Sequence, residues 1–182
     1  MNLIKKNIDG LILLKPTIFK DDRGYFMESY NKKNINKLLG NINFVQHNES
    51  KSFKGVLRGL HFQKPPFAQA KLVRCLKGRI LDVALDLRKK SKTYGHFEST
   101  LLTHENNNQL FIPSGFAHGF IVLSKSAIVS YKVDNYYNPE FESGIIWNDT
   151  DLKIDWKVEK DEIIVSKKDA KLQSFNNFES PF

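Results

Sequence analysis

Short runs of aromatic and β-branched residues follow one another along most of the 182-residue chain, separated by glycine, proline or asparagine. This spacing is typical of consecutive antiparallel strands and leaves little room for the helices of βαβ units. The chain is therefore predicted to be all-β, a sandwich or a closed barrel with a few short helices. The predicted strands are 24–30, 42–46, 55–63, 70–76, 79–87, 96–103, 109–112, 116–123 and 127–133.

Three local signals refine this prediction. Residues 32–39 carry apolar side chains on one helical face and stop at Gly40, which predicts one helix. Lys77-Gly78 joins two of the strands and favours a tight hairpin turn between them. The segment after Trp147 is polar and rich in turns, so we expect it to pack along the outside of the barrel.

Length and composition narrow the class of protein. The chain is long enough for one domain, residues 1–182, and the single cysteine, Cys75, cannot form an internal disulfide. The apolar run at 11–14 is too short for a signal peptide or a membrane span, so a cytoplasmic protein with no membrane partner is expected. The net charge of +8 favours anionic ligands, but the basic residues are scattered, which argues against a nucleic-acid partner.

Alternation within the strands predicts which side chains face the barrel interior. His61, Lys71 and Tyr131 would all point inward and form a polar pocket between apolar walls, where small molecules usually bind. Each shares its predicted face with residues two or four positions away: Leu57, Gly59 and Gln63 for His61, Val73 and Cys75 for Lys71, and Val129 for Tyr131.

The histidines do not form the pattern of a metal site. A metal-binding barrel of this type needs two histidines one residue apart on a strand, followed by a carboxylate and a third histidine. His61 is followed at that spacing by the amide of Gln63, and His118 stands alone. No metal is therefore predicted. No glycine-rich βαβ fingerprint for a nucleotide cofactor is present either, so no cofactor is expected.

Histidine can instead act as a proton carrier near neutral pH, provided that a carboxylate holds the other ring nitrogen. Asp169 is one candidate for that carboxylate, and Asp82 and Asp86 are two others; the sequence leaves the choice open. A purely structural interpretation is also open for His61, as a hydrogen-bonded core residue. The same holds for Lys71 and Tyr131 as ordinary strand residues.

A set of segments in fixed order resembles the dTDP-4-dehydrorhamnose 3,5-epimerase family, cupin-fold enzymes of deoxysugar biosynthesis. The resemblance covers nearly the whole chain, up to Asp169. The segments that carry it are DRGYFME (22–28), QHNES (46–50), GVLRGLHFQ (55–63), QAKLVRC (69–75), DVALDLR (82–88), SKTYG (91–95), IPSGFAHGF (112–120), YK (131–132), YY (136–137) and GIIWND (144–149).

The resemblance implies a cupin-type jelly-roll barrel, a homodimer that exchanges N-terminal strands, and a role for each matching residue. His61 would be the base, paired with Asp169; Tyr131 would be the acid on the opposite face of the sugar; Lys71 would lie near the ketone oxygen. Tyr137 would stack on the nucleobase. The remaining matches would hold the nucleotide, diphosphate or sugar: Arg23, Phe26, Glu28, Gln46, Asn48, Arg58, His118, Glu142 and Lys168.

The implied reaction inverts C3 and C5 of a nucleotide-linked 4-keto-6-deoxy sugar. Both carbons flank the ketone, so one base, one acid and a cation at the oxygen suffice, without a metal, flavin or nicotinamide. Four alternatives stay open: an epimerase that inverts only C3 or only C5, a metal-dependent cupin, a barrel that binds sugar nucleotides without catalysis, and a nucleic-acid module, which the scattered charge disfavours.

Overall fold

The computed structural model describes all residues, 1–182, and consists mainly of antiparallel strands. In chain order the strands are Asn2–Lys5 (β1), Ile12–Lys15 (β2), Phe19–Asp21 (β3), Gly24–Phe26 (β4), Gln46–Phe53 (β5), Leu57–Gln63 (β6), Lys71–Lys77 (β7), Arg79–Asp86 (β8), Phe97–Thr103 (β9), Gln109–Ile112 (β10), Phe116–Val122 (β11), Ser126–Val133 (β12) and Glu142–Gly144 (β13). One α-helix, Lys32–Leu39 (α1), and three short 3₁₀ helices, Pro139–Phe141, Lys160–Glu162 and Asp169–Lys171, complete the secondary structure.

Two sheets face each other and form the jelly roll that the resemblance implied. The larger sheet has the order β1-β2-β10-β7-β12-β5, and the smaller has the order β13-β6-β11-β8-β9. The strands β3 and β4 form a separate hairpin. The prediction of an all-β cupin-type barrel with few helices is confirmed.

Three hydrophobic cores hold these layers together. The largest lies between the sheets and includes Val73, Ile80 and Phe120. A second joins the outer face of the smaller sheet to the C-terminal segment, whose Trp156 and Phe178 are buried there. The third packs α1 on the outer face of the larger sheet. Each sheet is therefore packed on both of its faces, against the other sheet and against an outer segment.

The helix begins and ends where the sequence predicts. The side chain of Asn31 accepts a hydrogen bond from the backbone N–H of Asn34, and Gly40 ends the helix with φ of 86°. Ile35, on the inner face of α1, is fully buried. None of the helices has the length and hydrophobicity of a membrane-spanning segment.

The predicted hairpin at Lys77-Gly78 is wrong. The strands β7 and β8 lie in opposite sheets, so the turn carries the chain from one sheet to the other. Gly78 has φ of 78°, and a Cβ atom there would lie 2.1 Å from the carbonyl oxygen of Ser126. Glycine is thus required by the crossing, and a glycine turn by itself does not reveal which strands pair.

Some strand limits also differ from the prediction. The predicted strand 42–46 is wrong, because Ile42 and Phe44 instead pack in the core around α1. The strand β5 begins only at Gln46, and its polar sequence QHNESKSF gave little apolar signal. The predicted strand 24–30 ends at Phe26, and the two N-terminal strands β1 and β2 were not predicted.

The strand β6 contains a bulge that breaks simple alternation. Between the pairs His118–His61 and Phe120–Arg58, β11 advances two residues and β6 advances three. Leu57 consequently packs in the outer core and not on the face of His61, so that part of the predicted face is wrong. Gly59 lies at the bulge, where a Cβ atom would come within 2.5 Å of the Cα atom of Gly119.

Candidate active site

A cleft of about 380 Å³ opens between the two sheets, and its walls carry seven of the polar residues singled out in the sequence. The strand β6 of the smaller sheet supplies His61 and Gln63. The larger sheet supplies Lys71 on β7 and Tyr131 on β12. The remaining lining residues are Gln46, Asn48, Phe62, Gln69, Tyr137 and Glu142. His61 and Tyr131 therefore come from opposite walls of one cleft.

His61 is held by a carboxylate from the C-terminal segment. Its Nε2 lies 2.8 Å from Oδ1 of Asp169, and the backbone N–H of Gly59 donates to the other oxygen at 3.2 Å. Burial raises the pKa of Asp169, but the interaction with His61 and the hydrogen bonds from Gly59 and Ser166 together keep that pKa below its usual value. Because Nε2 faces the carboxylate, Nδ1 is the ring nitrogen left to accept a proton.

The three candidate carboxylates have different partners in the structure. Asp169 binds His61, Asp82 binds His118, and Asp86 accepts hydrogen bonds from Arg88 in an ion pair at 2.8 Å. Only Asp169 is in contact with the proposed base.

Lys71 lies on the same interior face as Val73 and Cys75, as alternation predicts. Its ammonium group is 3.5 Å from the carbonyl oxygen of His61. Burial lowers the pKa of Lys71 to about 8, although the carboxylates of Asp82 and Glu142 act in the opposite direction. The side chain is thus still mainly an ammonium at neutral pH but close to losing its proton.

Tyr131 lies directly opposite Asn48 in the pairing of β12 with β5. Its ring packs against the core between the sheets. Burial raises the pKa of Tyr131, while the charge of Arg58 and a hydrogen bond with Asn48 act to lower it. The phenol is therefore protonated at neutral pH and able to donate a proton into the cleft.

The mouth of the cleft carries a connected polar group. The hydroxyl of Tyr137 donates to Glu142 at 2.6 Å, and Lys168 forms an ion pair with the same carboxylate. The backbone N–H of Tyr137 donates to the side chain of Gln46 at 3.1 Å, and Gln46 in turn donates to Asn48 at 2.9 Å. The aromatic ring of Tyr137 stays more than half exposed, so its face is open to a ligand.

Two further predicted residues lie beside the cleft. Arg58 reaches the opposite sheet, where its Nε donates to Ser52 at 3.0 Å, and its side chain lines a neighbouring depression with His61. His118 is buried and pairs with Asp82 at 2.8 Å, so it is not among the residues that line the cleft. Its predicted role in holding the substrate is therefore indirect at most.

Arg23, Phe26 and Glu28 are not brought to the cleft of their own chain. Phe26 and Glu28 line a separate surface depression, and the guanidinium of Arg23 pairs with Asp21 while remaining 90% exposed. Phe26 is also largely exposed, on a hairpin that makes no sheet with the rest of the barrel.

Gln63 and Gln69 line the cleft and were not predicted as site residues. The amide of Gln63 accepts from the backbone N–H of Asn138 at 2.7 Å and donates to the carbonyl of Tyr136 at 3.1 Å. Gln69 donates to the carbonyl of Asn135 at 2.8 Å. Both fix the loop that carries Tyr137, and the position of Gln63 two residues after His61 was the signal available for it.

His, Cys, Asp and Glu side chains nowhere gather in threes as metal ligands would.

Fold and site together define a class: a cupin-type barrel whose cleft offers a proton acceptor and a proton donor on facing walls. Comparison with known proteins identifies the family. The sequence profile described as dTDP-4-dehydrorhamnose 3,5-epimerase matches residues 5–177. The epimerase of that name from Methanothermobacter thermautotrophicus is 50% identical over 167 residues, which cover 91% of this chain and 90% of the relative.

Solved structures agree with this match. The dTDP-4-dehydrorhamnose 3,5-epimerase from Elizabethkingia anophelis has a TM-score of 0.93 at 50% identity and covers 97% of each chain. The Legionella pneumophila 3,5-epimerase in complex with dTDP-4-keto-L-rhamnose has a TM-score of 0.94 at 45% identity, covering 98% of this chain and 94% of its own. The chain belongs to the dTDP-4-dehydrorhamnose 3,5-epimerase family, a family of isomerases, and the resemblance drawn from its motifs is confirmed.

Proposed function

We propose that the protein inverts C3 and C5 of dTDP-4-dehydro-6-deoxy-D-glucose and so produces dTDP-4-dehydro-L-rhamnose. The observation that carries the proposal is the pair of proton carriers on facing walls, His61 held by Asp169 and Tyr131 opposite, with Lys71 between the sheets. The reaction is an exchange of protons beside a ketone. His61 supplies the base, Tyr131 the acid and Lys71 the cation that it needs.

In the first step, neutral His61 takes the proton from the carbon beside the ketone. The electron pair of the C–H bond moves toward the carbonyl, which becomes an enolate with negative charge on its oxygen. The ammonium of Lys71 donates a hydrogen bond to that oxygen, a contribution of about 3 kcal/mol for such a donor. Asp169 stabilises the imidazolium that forms, because its carboxylate accepts the Nε2–H.

In the second step, the hydroxyl of Tyr131 gives its proton to the same carbon from the opposite face. The carbon is inverted, the ketone re-forms, and the phenolate and the imidazolium exchange protons with solvent to reset the site. Repetition at the other carbon completes the double inversion. A well-placed general acid or base contributes roughly a hundredfold to ten-thousandfold in rate.

The nucleotide binds at the mouth of the cleft. The exposed ring of Tyr137 stacks on the base, and the guanidinium of Arg58 and the ammonium of Lys168 contact the diphosphate. Glu142, Gln46 and Asn48 hold the sugar and the loop of Tyr137. The net charge of +8 assists the approach of an anionic ligand.

The site is completed by a second subunit. Arg23, Phe26 and Glu28 are the predicted binding residues that lie away from the cleft, on the exposed hairpin β3–β4 and the segment after it. We propose a homodimer in which this N-terminal part of one subunit reaches the cleft of the other. Exchange of this kind buries the exposed Phe19 and Phe26 side chains.

The cytoplasm is the compartment we propose. Cys75 is buried and unpaired, which is compatible with reducing conditions.

Proton NMR of dTDP-4-keto-6-deoxyglucose with the protein in heavy water tests the proposed function. We expect deuterium at both C3 and C5 and the L-rhamno product. Deuterium and inversion at a single carbon would identify a mono-epimerase. Binding without exchange would identify a non-catalytic barrel, and loss of turnover after chelation would identify a metal-dependent enzyme; each of these results contradicts the proposal.

A further inference from the structure

A second histidine–carboxylate pair lies beneath the cleft and takes no part in the proton transfers above. His118 Nε2 and Asp82 Oδ2 are 2.8 Å apart, and the side chains are 8% and 0% exposed. His118 is directly opposite His61 in the pairing of β11 with β6. The pair therefore sits against the wall that carries the base.

Asp82 is poorly compensated by its hydrogen bonds. Its Oδ1 is buried without a partner, and so is the hydroxyl of Thr100, which is directly opposite it on β9. Burial lowers the pKa of His118, so the imidazole that Asp82 contacts is neutral at pH 7. A buried carboxylate with one neutral partner is strongly destabilising unless a cation is near.

The ammonium of Lys71 reaches the same part of the barrel interior. It lies 3.5 Å from the carbonyl oxygen of His61, which is directly opposite His118, the partner of Asp82. The charged or titratable groups around the Lys71 ammonium are Asp82 on β8, Glu142 on β13, His61 on β6, His118 on β11 and Tyr131 on β12. Of the two carboxylates, Asp82 acts on Lys71 more strongly.

Glu142 is already engaged by Lys168 and by the hydroxyl of Tyr137. Asp82 contacts neither Lys168 nor Tyr137. The one side chain paired with it is the neutral imidazole of His118. Its charge is therefore left to act on Lys71.

We propose that Asp82 is a positioning residue for the epimerisation: its buried carboxylate is the fixed counter-charge that keeps Lys71 an ammonium at the ketone oxygen. The same carboxylate also orients the neutral imidazole of His118, which lies on the strand beside His61. This inference rests on the proposed function, because it gives Asp82 a role through Lys71. Asp82 itself touches no substrate.

The pH profile of kcat/KM for Asp82→Asn tests the inference, with Thr100→Val as the matched control. Thr100 lies opposite Asp82 and its hydroxyl makes no hydrogen bond, so its replacement changes the packing and not the charge. We expect the alkaline limb of kcat/KM in D82N to move down by about one pH unit, since an opposite charge nearby shifts a pKa by this amount. At pH 8, where half of the wild-type Lys71 is charged, kcat/KM should therefore fall roughly fivefold. Asp82→Glu keeps the charge and should keep the limb.

A folded D82N variant with the wild-type limb would overturn the inference, as would an equal shift in T100V. If D82N does not fold, the thermal stabilities of K71M and K71M/D82N are compared. The double variant should be the more stable, because it no longer buries an uncompensated carboxylate, and a less stable one contradicts the pairing. If the wild-type protein shows no epimerase activity, the proposed function is wrong. NMR titration of the Lys71 ammonium in the wild type and in D82N then still tests whether Asp82 acts on Lys71.

Discussion

The imidazole of His61 and the carboxylate of Asp169 lie 2.8 Å apart, although 108 residues separate them in the chain. The carboxylate comes from a 3₁₀ turn of the C-terminal segment that packs on the strand of the histidine. The segment outside the barrel thus supplies part of the chemistry inside it.

Asp169→Asn should remove the charge that stabilises the His61 imidazolium without much change in shape. We expect kcat to fall roughly a hundredfold to ten-thousandfold while KM changes little. Steady-state kinetics measure this effect. The exposed Asp161→Asn, eight residues earlier on the same segment, should behave as wild type. Equal activity of D169N and wild type would exclude Asp169 as the partner of the base.

The pKa of about 8 at Lys71 predicts an alkaline limit to activity. Burial favours the neutral amine, so the ammonium that binds the developing oxyanion is lost as pH rises through about 8, and kcat/KM should fall with it. Lys71→Arg stays charged at this pH and should lose that limb while keeping some activity. Lys71→Met should lose roughly a hundredfold or more in kcat below about pH 8, where the wild type carries the ammonium. A limb that persists in K71R belongs to another group.

Sequence alone predicted features that depend on local pattern. The helix 32–39 and the strand 109–112 were correct to the residue, because amphipathic spacing and flanking Gly or Pro residues determine them locally. Alternation also put Lys71 and Tyr131 on the inner faces of their strands.

What the sequence could not predict depends on contacts between distant residues. The turn at Gly78 has the composition of a hairpin, but its strands pair with β10, β12, β11 and β9 instead of with each other. The bulge at Gly59 rotates Leu57 away from the face of His61. The residue pattern alone left the choice among Asp82, Asp86 and Asp169 open, because the fold brings residues 61 and 169 together from distant parts of the chain. The family resemblance was what implied Asp169.

Tyr137 offers a direct test of nucleobase stacking. Tyr137→Ala should raise KM roughly tenfold to a hundredfold, because stacking of an aromatic ring on a base contributes about 1–3 kcal/mol. Tyr137→Phe keeps the ring and loses only the hydrogen bond to Glu142, so its KM should stay close to that of wild type. A KM in Y137F as high as in Y137A would assign the effect to Glu142 and its loop.

Mixed dimers test whether the N-terminal hairpin serves the neighbouring subunit. Arg23→Ala and His61→Ala homodimers should each have strongly reduced activity. In a mixed dimer of the two, an exchanged hairpin gives one site with both native residues, so about half of the wild-type activity should return. Differently tagged subunits allow the mixed dimer to be purified. No recovery would mean that Arg23 acts within its own chain.

The central claim is that a base and an acid act from opposite walls of one cleft. The measurement that tests it most directly is the deuterium content at C3 and C5 of the sugar, together with its stereochemistry, after incubation with Tyr131→Phe or His61→Ala in heavy water. We predict that Y131F incorporates deuterium while the configuration is largely retained, because His61 still removes and returns the proton on its own face, and that H61A incorporates none. Exchange by H61A, or inversion by Y131F at the wild-type rate, would contradict the account.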